Sequence, residues 1–193
     1  MVETIPTIVL ASVGAVAIAI LNLRDHLLDG TKAERHLMKA AENDQLDILL
    51  SLLDSGVSPD ARGRHTGVSP LYFAAEMGHV RIAEALLNRG ADADIRGPQG
   101  ETPLMIAAFE GNADVVRTLL AHGADINAIH EGKETALMGA ASKGHTEIVR
   151  LLIEQGADVN VVGAVTGMTA LSYATDTRHT EIAQLLKAAG AKG

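Results

Sequence analysis

The sequence predicts an all-α solenoid of short helical repeats, preceded by one long hydrophobic helix. Three observations carry that expectation. A ten-residue pattern recurs at a nearly constant interval, and a Gly-Ala-Asp landmark keeps the same interval. Ahead of both, twenty uncharged residues, TIPTIVLASVGAVAIAILNL, separate Glu3 from Arg24.

Composition agrees with close-packed helices. The 193 residues are 47% hydrophobic but only 2% aromatic, with no Trp. A core of Ala, Leu, Ile and Val suits helices that approach closely, whereas a β-sandwich usually leans on aromatic and β-branched strands. The chain has no Cys, which excludes a disulfide framework, a thiolate metal site and a cysteine nucleophile. Its formal charge of -8 lies mostly in the repeats, without a Lys/Arg stripe. Such a surface is a poor match for a phosphate backbone, so no nucleic-acid partner is expected.

The first element is the hydrophobic segment. A twenty-residue helix spans about 30 Å, the thickness of a bilayer's hydrocarbon core. Residues 4–23 are therefore read as a single-pass membrane anchor within an N-terminal segment covering 1–30. A cleaved signal peptide is the alternative: Ala17-Ile18-Ala19 offers an A-x-A site. Against it, the chain starts Met-Val-Glu without a positive n-region, and the apolar run is longer than usual. Arg24, Lys32 and Arg35 lie downstream, so the positive-inside rule puts the N-terminus outside and the repeats in the cytoplasm. Cleavage would instead make the protein secreted or periplasmic. Ala11, Ala15 and Ala19 form a small-xxx-small face that could pair two anchors into a homodimer, although Ala-rich segments produce that spacing by composition alone. Pro6 suits a first helical turn, Gly30 a helix stop, and Thr31 with Glu34 a capping box. No flexible linker intervenes, so the repeats are expected close to the membrane, with Leu27 and Leu28 covering the first of them.

The repeat can be built from its residues. Thr102 through Gly111 is echoed from Ser69, from Thr135 and, more weakly, from Thr169, at offsets of 33, 33 and 34. Gly90-Ala91-Asp92, Gly123-Ala124-Asp125, Gly156-Ala157-Asp158 and Gly190-Ala191 keep the same beat. Thr102 is placed to cap a helix and Pro103 to begin it. Leu104, Ala107 and Ala108 then share one face, and Gly111 supplies the positive φ that ends this helix. A second helix follows with Val115, Val116, Leu119 and Leu120 on its apolar side. Gly123 stops it, and Asp125-Ile126-Asn127 leads into a turn-rich loop. Two short helices cannot cover both their faces, so each unit must stack on its neighbours.

This unit resembles the ankyrin repeat, with a period near 33 and a T-P-L-H-x-A-A-x-x-G-H signature followed by G-A-D-V-N. Gly78-His79, Gly144-His145 and Gly156-Ala157-Asp158-Val159-Asn160 carry the likeness, which covers roughly residues 34–193. It implies about five repeats: 31–67, 68–101, 102–134, 135–168 and 169–193. The tetrapeptide histidine is replaced by Tyr72, Met105, Met138 and Ser172, which predicts weaker coupling between units. Asp44 and Arg178 stand where other units have the helix-stopping Gly, and Lys187 replaces an aliphatic residue. Polar changes in the outer units are what terminal caps require, so units one and five are read as caps.

The eight histidines do not point to a metal. His79, His145 and His179 occupy one position in different repeats, about 10 Å apart per helix layer, and cannot converge on one ion. His65, His122 and His130 lie in loops or at a helix end, away from that column. There is also no nucleophile elbow, Ser/His/Asp pattern or phosphate loop. No enzyme activity, cofactor or metal is expected.

What the resemblance implies is a protein-protein interaction scaffold whose partner lies on a concave side made of loop tips and exposed ends of the inner helices. By position this surface comprises Glu76, Met77, Phe109, Glu110, Ser142, Lys143 and Asp176, with Glu101, Glu134 and Met168 just before inner helices. Phe109 stands out because the family usually puts a variable, often polar residue there. It is either an exposed anchor or a side chain leaning on Met77 or Met105. The loop Val161–Met168 is apolar where other tips are polar, and Val162 and Val165 make it either a contact surface or a tip folded onto the last repeat. The leading expectation is a membrane-tethered scaffold for an unidentified protein partner. The alternatives are an exported soluble protein with a binding or stress-protective role, and an architectural role through self-association.

Overall fold

A computed structural model describes residues 31–63, 66–132 and 134–192. The expected anchor at 4–23, its Ala face, the Gly30 stop and the covering Leu27 and Leu28 lie outside the described residues, as does His65. Among the described residues no helix is long and apolar enough to cross a membrane.

Ten helices form five consecutive pairs among these residues, and no strand is present. The inner members are α1 (Thr31–Glu42), α3 (Pro70–Met77), α5 (Pro103–Glu110), α7 (Ala136–Lys143) and α9 (Ala170–Asp176). The outer members are α2 (Leu46–Asp54), α4 (Val80–Asn88), α6 (Ala113–Ala121), α8 (Thr146–Glu154) and α10 (Thr180–Ala188). Inner helices pack on inner helices and outer on outer, so the molecule is two helical layers with loops along one edge.

Local chemistry starts and stops each inner helix as the residues predict. Ser69, Thr102, Thr135 and Thr169 sit in extended backbone, and each hydroxyl accepts the N–H of the third helical residue. In α5 the sulfur of Met105 also receives the Thr102 N–H at 3.5 Å. Gly78, Gly111 and Gly144 end their helices with φ of 75°, 88° and 84°. Space as well as φ demands glycine here. A Cβ on Gly111 or Gly144 would lie 2.6 Å from the ring of His145 or His179, and one on Gly78 would lie 2.7 Å from Asn112 Oδ1.

The core runs unbroken through the stack. Leu37, Leu71, Leu104, Leu137 and Leu171 of the inner helices meet Leu49, Leu52, Ile82, Leu86, Leu119, Leu152 and Leu186 of the outer ones. Between inner helices the contact is made by alanine pairs that are wholly buried. Successive loops are also stitched together. The side-chain oxygens of Asp60, Asp94, Asn127 and Asn160 accept the backbone N–H groups of Asp92, Asp125, Asp158 and Lys192 at 2.8–3.1 Å. Arg62 and Arg96 reach the carbonyls of Arg96 and Ile129. Exposed pairs such as Arg89–Asp54 and Arg150–Glu181 cross the outer layer and add little each.

Asp44 and Arg178 adopt the left-handed backbone of the glycines they replace, with φ of 54° and 63°. Asp tolerates that region better than Arg does. No later repeat lies over Arg178 among the described residues, so its Cβ has room while its backbone stays strained. Arg178→Gly is expected to raise stability by about 0.5–1 kcal/mol and Asp44→Gly by less, both read from urea unfolding.

Candidate functional site: the inner-helix face

The last turns of the inner helices are held from the next repeat. A backbone carbonyl only accepts, so His79 Nε2–H donates to Glu42 O at 3.1 Å and His145 Nε2–H to Phe109 O at 3.0 Å. In the repeat between them Asn112 does the same work, its Nδ2 donating to Ala75 O and Glu76 O at 2.8 and 3.0 Å. These histidines are therefore structural, and they supply the inter-repeat bonds that the missing tetrapeptide histidine does not.

These bonds fix a face on which several candidate residues converge. Met77 and Phe109 are 49% and 40% exposed while the other large apolar side chains of α3 and α5 are buried or half-buried. The Phe109 ring also has neighbours that neither reading of it named. It lies against α7, where a Cβ on Gly139 would meet Phe109 Cβ at 3.6 Å. The Lys143 ammonium stands 4.3 Å from the ring centroid, a cation–π contact. Glu76 and Glu110 are the chain neighbours of Met77 and Phe109, and on α7 the Ser142 hydroxyl donates to Gly139 O. Asp176 is exposed at the end of α9.

Electrostatics here is one-sided. The Glu76 carboxyl is pushed up by burial first and then by the charges of Glu110 and Glu42. Burial, then Glu101 and Glu76, push the Tyr72 phenol up to about 12. Glu101 accepts the Gln99 N–H at 2.8 Å. Glu134 likewise accepts the Tyr173 phenol at 2.5 Å and faces His130. Glu101 thus braces its own loop, and Glu134 braces its loop against α9. Among the described residues no three His, Asp or Glu side chains are grouped to hold a metal ion.

The apolar loop is tied to the last repeat at Thr166, which accepts the Tyr173 phenol at 3.4 Å, while its valines remain exposed. Gly163 N donates to Met168 O and Gly167 N to Gly163 O, closing a small hairpin, while Ala164 N donates to Gly132 O of the preceding loop. Val162 and Val165 are 53% and 83% exposed, and Met168 is half-buried at the hairpin's base. Ile129, 42% exposed, was not among the expected surface residues. It stands where the two preceding loops have Arg62 and Arg96, and Val162 follows in the same column. That switch from Arg to aliphatic was the signal available for it.

Burial and like charges raise the Glu76 carboxyl in the fold. Its protonated form therefore supports stability below the ordinary value near 4.3, and that support is lost as pH rises through the folded value. Glu76→Gln is expected to stabilise the protein at pH 7 and to be neutral below about pH 4, as measured by thermal melts across pH.

The comparison with known proteins matches this architecture. The family model for ankyrin repeats in three copies matches residues 37–130 and 127–192. An ankyrin repeat-containing protein of Schizosaccharomyces pombe is 40% identical over 63 residues, 33% of this chain and 30% of its own length. The ankyrin repeat, SAM and basic leucine zipper domain-containing protein 1 of Eulemur macaco macaco is 38% identical over 66 residues, 34% of this chain and 14% of its own. The human 2-5A-dependent ribonuclease is 35% identical over 66 residues, 34% of this chain and 9% of its own. The chain thus spans less than a third of these relatives, and the matches lie in repeats whose common role is protein-protein interaction. By its family match and its stacked helix pairs, the chain belongs to the ankyrin-repeat family.

Proposed function

We propose that the chain is a non-enzymatic scaffold that holds a protein partner on its inner-helix face and is tethered to a membrane by residues 4–23, with the repeats on the cytoplasmic side. The observation that carries the binding site is the exposure of Met77 and Phe109 in helices whose other large apolar side chains are covered. An aromatic ring rimmed by polar groups is the usual form of an interface anchor. Glu76, Glu110, Lys143 and Asp176 supply the rim, and Val162, Val165 and Ile129 a second apolar patch on the loop edge. The tether rests on the length and neutrality of TIPTIVLASVGAVAIAILNL and on the positive charges that follow it. Ala17-Ile18-Ala19 keeps the exported form as the rival reading.

Two readouts test the two halves. A photo-crosslinking residue at position 109 should capture a partner in cells, whereas one at Glu84 on the outer layer should not; equal capture at both would end the inner-face reading. The mature protein should begin at Met1 or Val2 and resist carbonate extraction. A mature start near Ile20, with the protein released, would replace the tether by the exported form.

A further inference from the structure

Three carboxylates sit where helix electrostatics disfavours them. Glu42 is the last residue of α1, Glu76 the penultimate residue of α3 and Glu110 the last of α5. The C-terminus of a helix carries about half a negative charge, so a cation is the stabilising choice there. Helices α1 and α7 have Lys39 and Lys143 in the last turn, while α3 and α5 have no basic residue there. These three ends are adjacent in the inner layer. Among the described residues none of the three carboxylates has a salt-bridge partner, although exposed pairs cross the outer layer. Burial first, and then the charges of Glu110 and Glu42, push the Glu76 carboxyl upward. A fold that tolerates such local conflict on one face commonly does so for binding.

Between these charges lie Met77 and Phe109. We propose that the partner's docking element is a Lys/Arg-bearing segment, its aliphatic stems on Met77 and Phe109 and its cationic heads on Glu42, Glu76 and Glu110. This rests on the inner-face reading above and names the chemistry of what that face receives. Long basic side chains bring both parts at once, an apolar stem and a charged head. The chain itself displays the contact: the Lys143 ammonium already lies 4.3 Å from the Phe109 ring centroid. An incoming cation would compete with Lys143 for the ring, so Lys143 sets a limit on affinity. The negative field also speeds encounter with a basic partner and makes it salt-sensitive.

The test uses the full-length chain in non-ionic detergent and a fluorescein-labelled peptide rich in arginine and leucine, followed by anisotropy. The wild type should bind it, less tightly as salt rises, and should ignore a glutamate-for-arginine counterpart. The triple variant E42Q/E76Q/E110Q should bind about tenfold more weakly yet melt at a higher temperature. Lys143→Gln should do the opposite on both counts, binding about twofold more tightly while melting lower. The control D47N/E84Q/E154Q removes the same charge from the outer layer and should leave binding within about twofold. Equal weakening by the two triple variants, or no binding by the wild type, would overturn the proposal. So would unchanged crosslinking from position 109 in the E42Q/E76Q/E110Q background, which would leave the inner face as the binding site but for a partner that is not cationic.

Discussion

Ala40 and Ala41, Ala74 and Ala75, Ala107 and Ala108, and Ala140 and Ala141 are wholly shielded from solvent, and they face one another down the middle of the stack. Their small side chains let consecutive inner helices approach more closely than Leu or Ile would permit. Each inner helix is only seven or eight residues long from α3 onward, too short to be stable alone. It persists because it is capped by a hydroxyl at its start and pressed against neighbouring inner helices, on both sides for α3, α5 and α7 and on one side for α9.

That close approach organises the rest. With the helices in near contact, the carbonyls at the end of one inner helix come within reach of His79, Asn112 or His145 at the start of the next outer helix. The ring or amide in turn fills the space over the preceding residue, which is why glycine is kept at Gly78, Gly111 and Gly144. The same register lines up the loop oxygens of Asp60, Asp94, Asn127 and Asn160 with the next repeat's backbone. A binding face built on such a frame is rigid before its partner arrives, which lowers the ordering cost of association. It also brings the ends of consecutive inner helices together, so Glu42 and Glu76, each two residues before the helix stop, and Glu110, one residue before it, gather on one face as a consequence of the stacking as much as of the residues.

The features legible in the sequence were those set by neighbours in the chain. Thr102, Pro103 and Gly111 announce their helix because cap, first turn and stop are chemistry between residues close in sequence. Asp44 and Arg178 were recognisable as departures, and their positive φ shows that the backbone keeps its path even when the residue changes. Features that depend on which side chains meet across repeats were not legible. Phe109 packs on Gly139 and beneath Lys143, and nothing in residues 102–111 points to that helix. Glu101 and Glu134 read as free rim charges, yet Glu101 acts on the Tyr72 phenol of the preceding inner helix and Glu134 accepts the Tyr173 phenol from 39 residues along the chain. The histidine position was identified as structural, but the carbonyl that receives each ring follows only from the stacking distance.

The most direct measurement of this account is the unfolding of Ala108→Leu in urea. If close approach of inner helices holds the stack together, the extra side chain has no room at this fully buried site. Stability should fall by about 1–3 kcal/mol. A loss under about 0.5 kcal/mol, the level of an ordinary surface substitution, would contradict it.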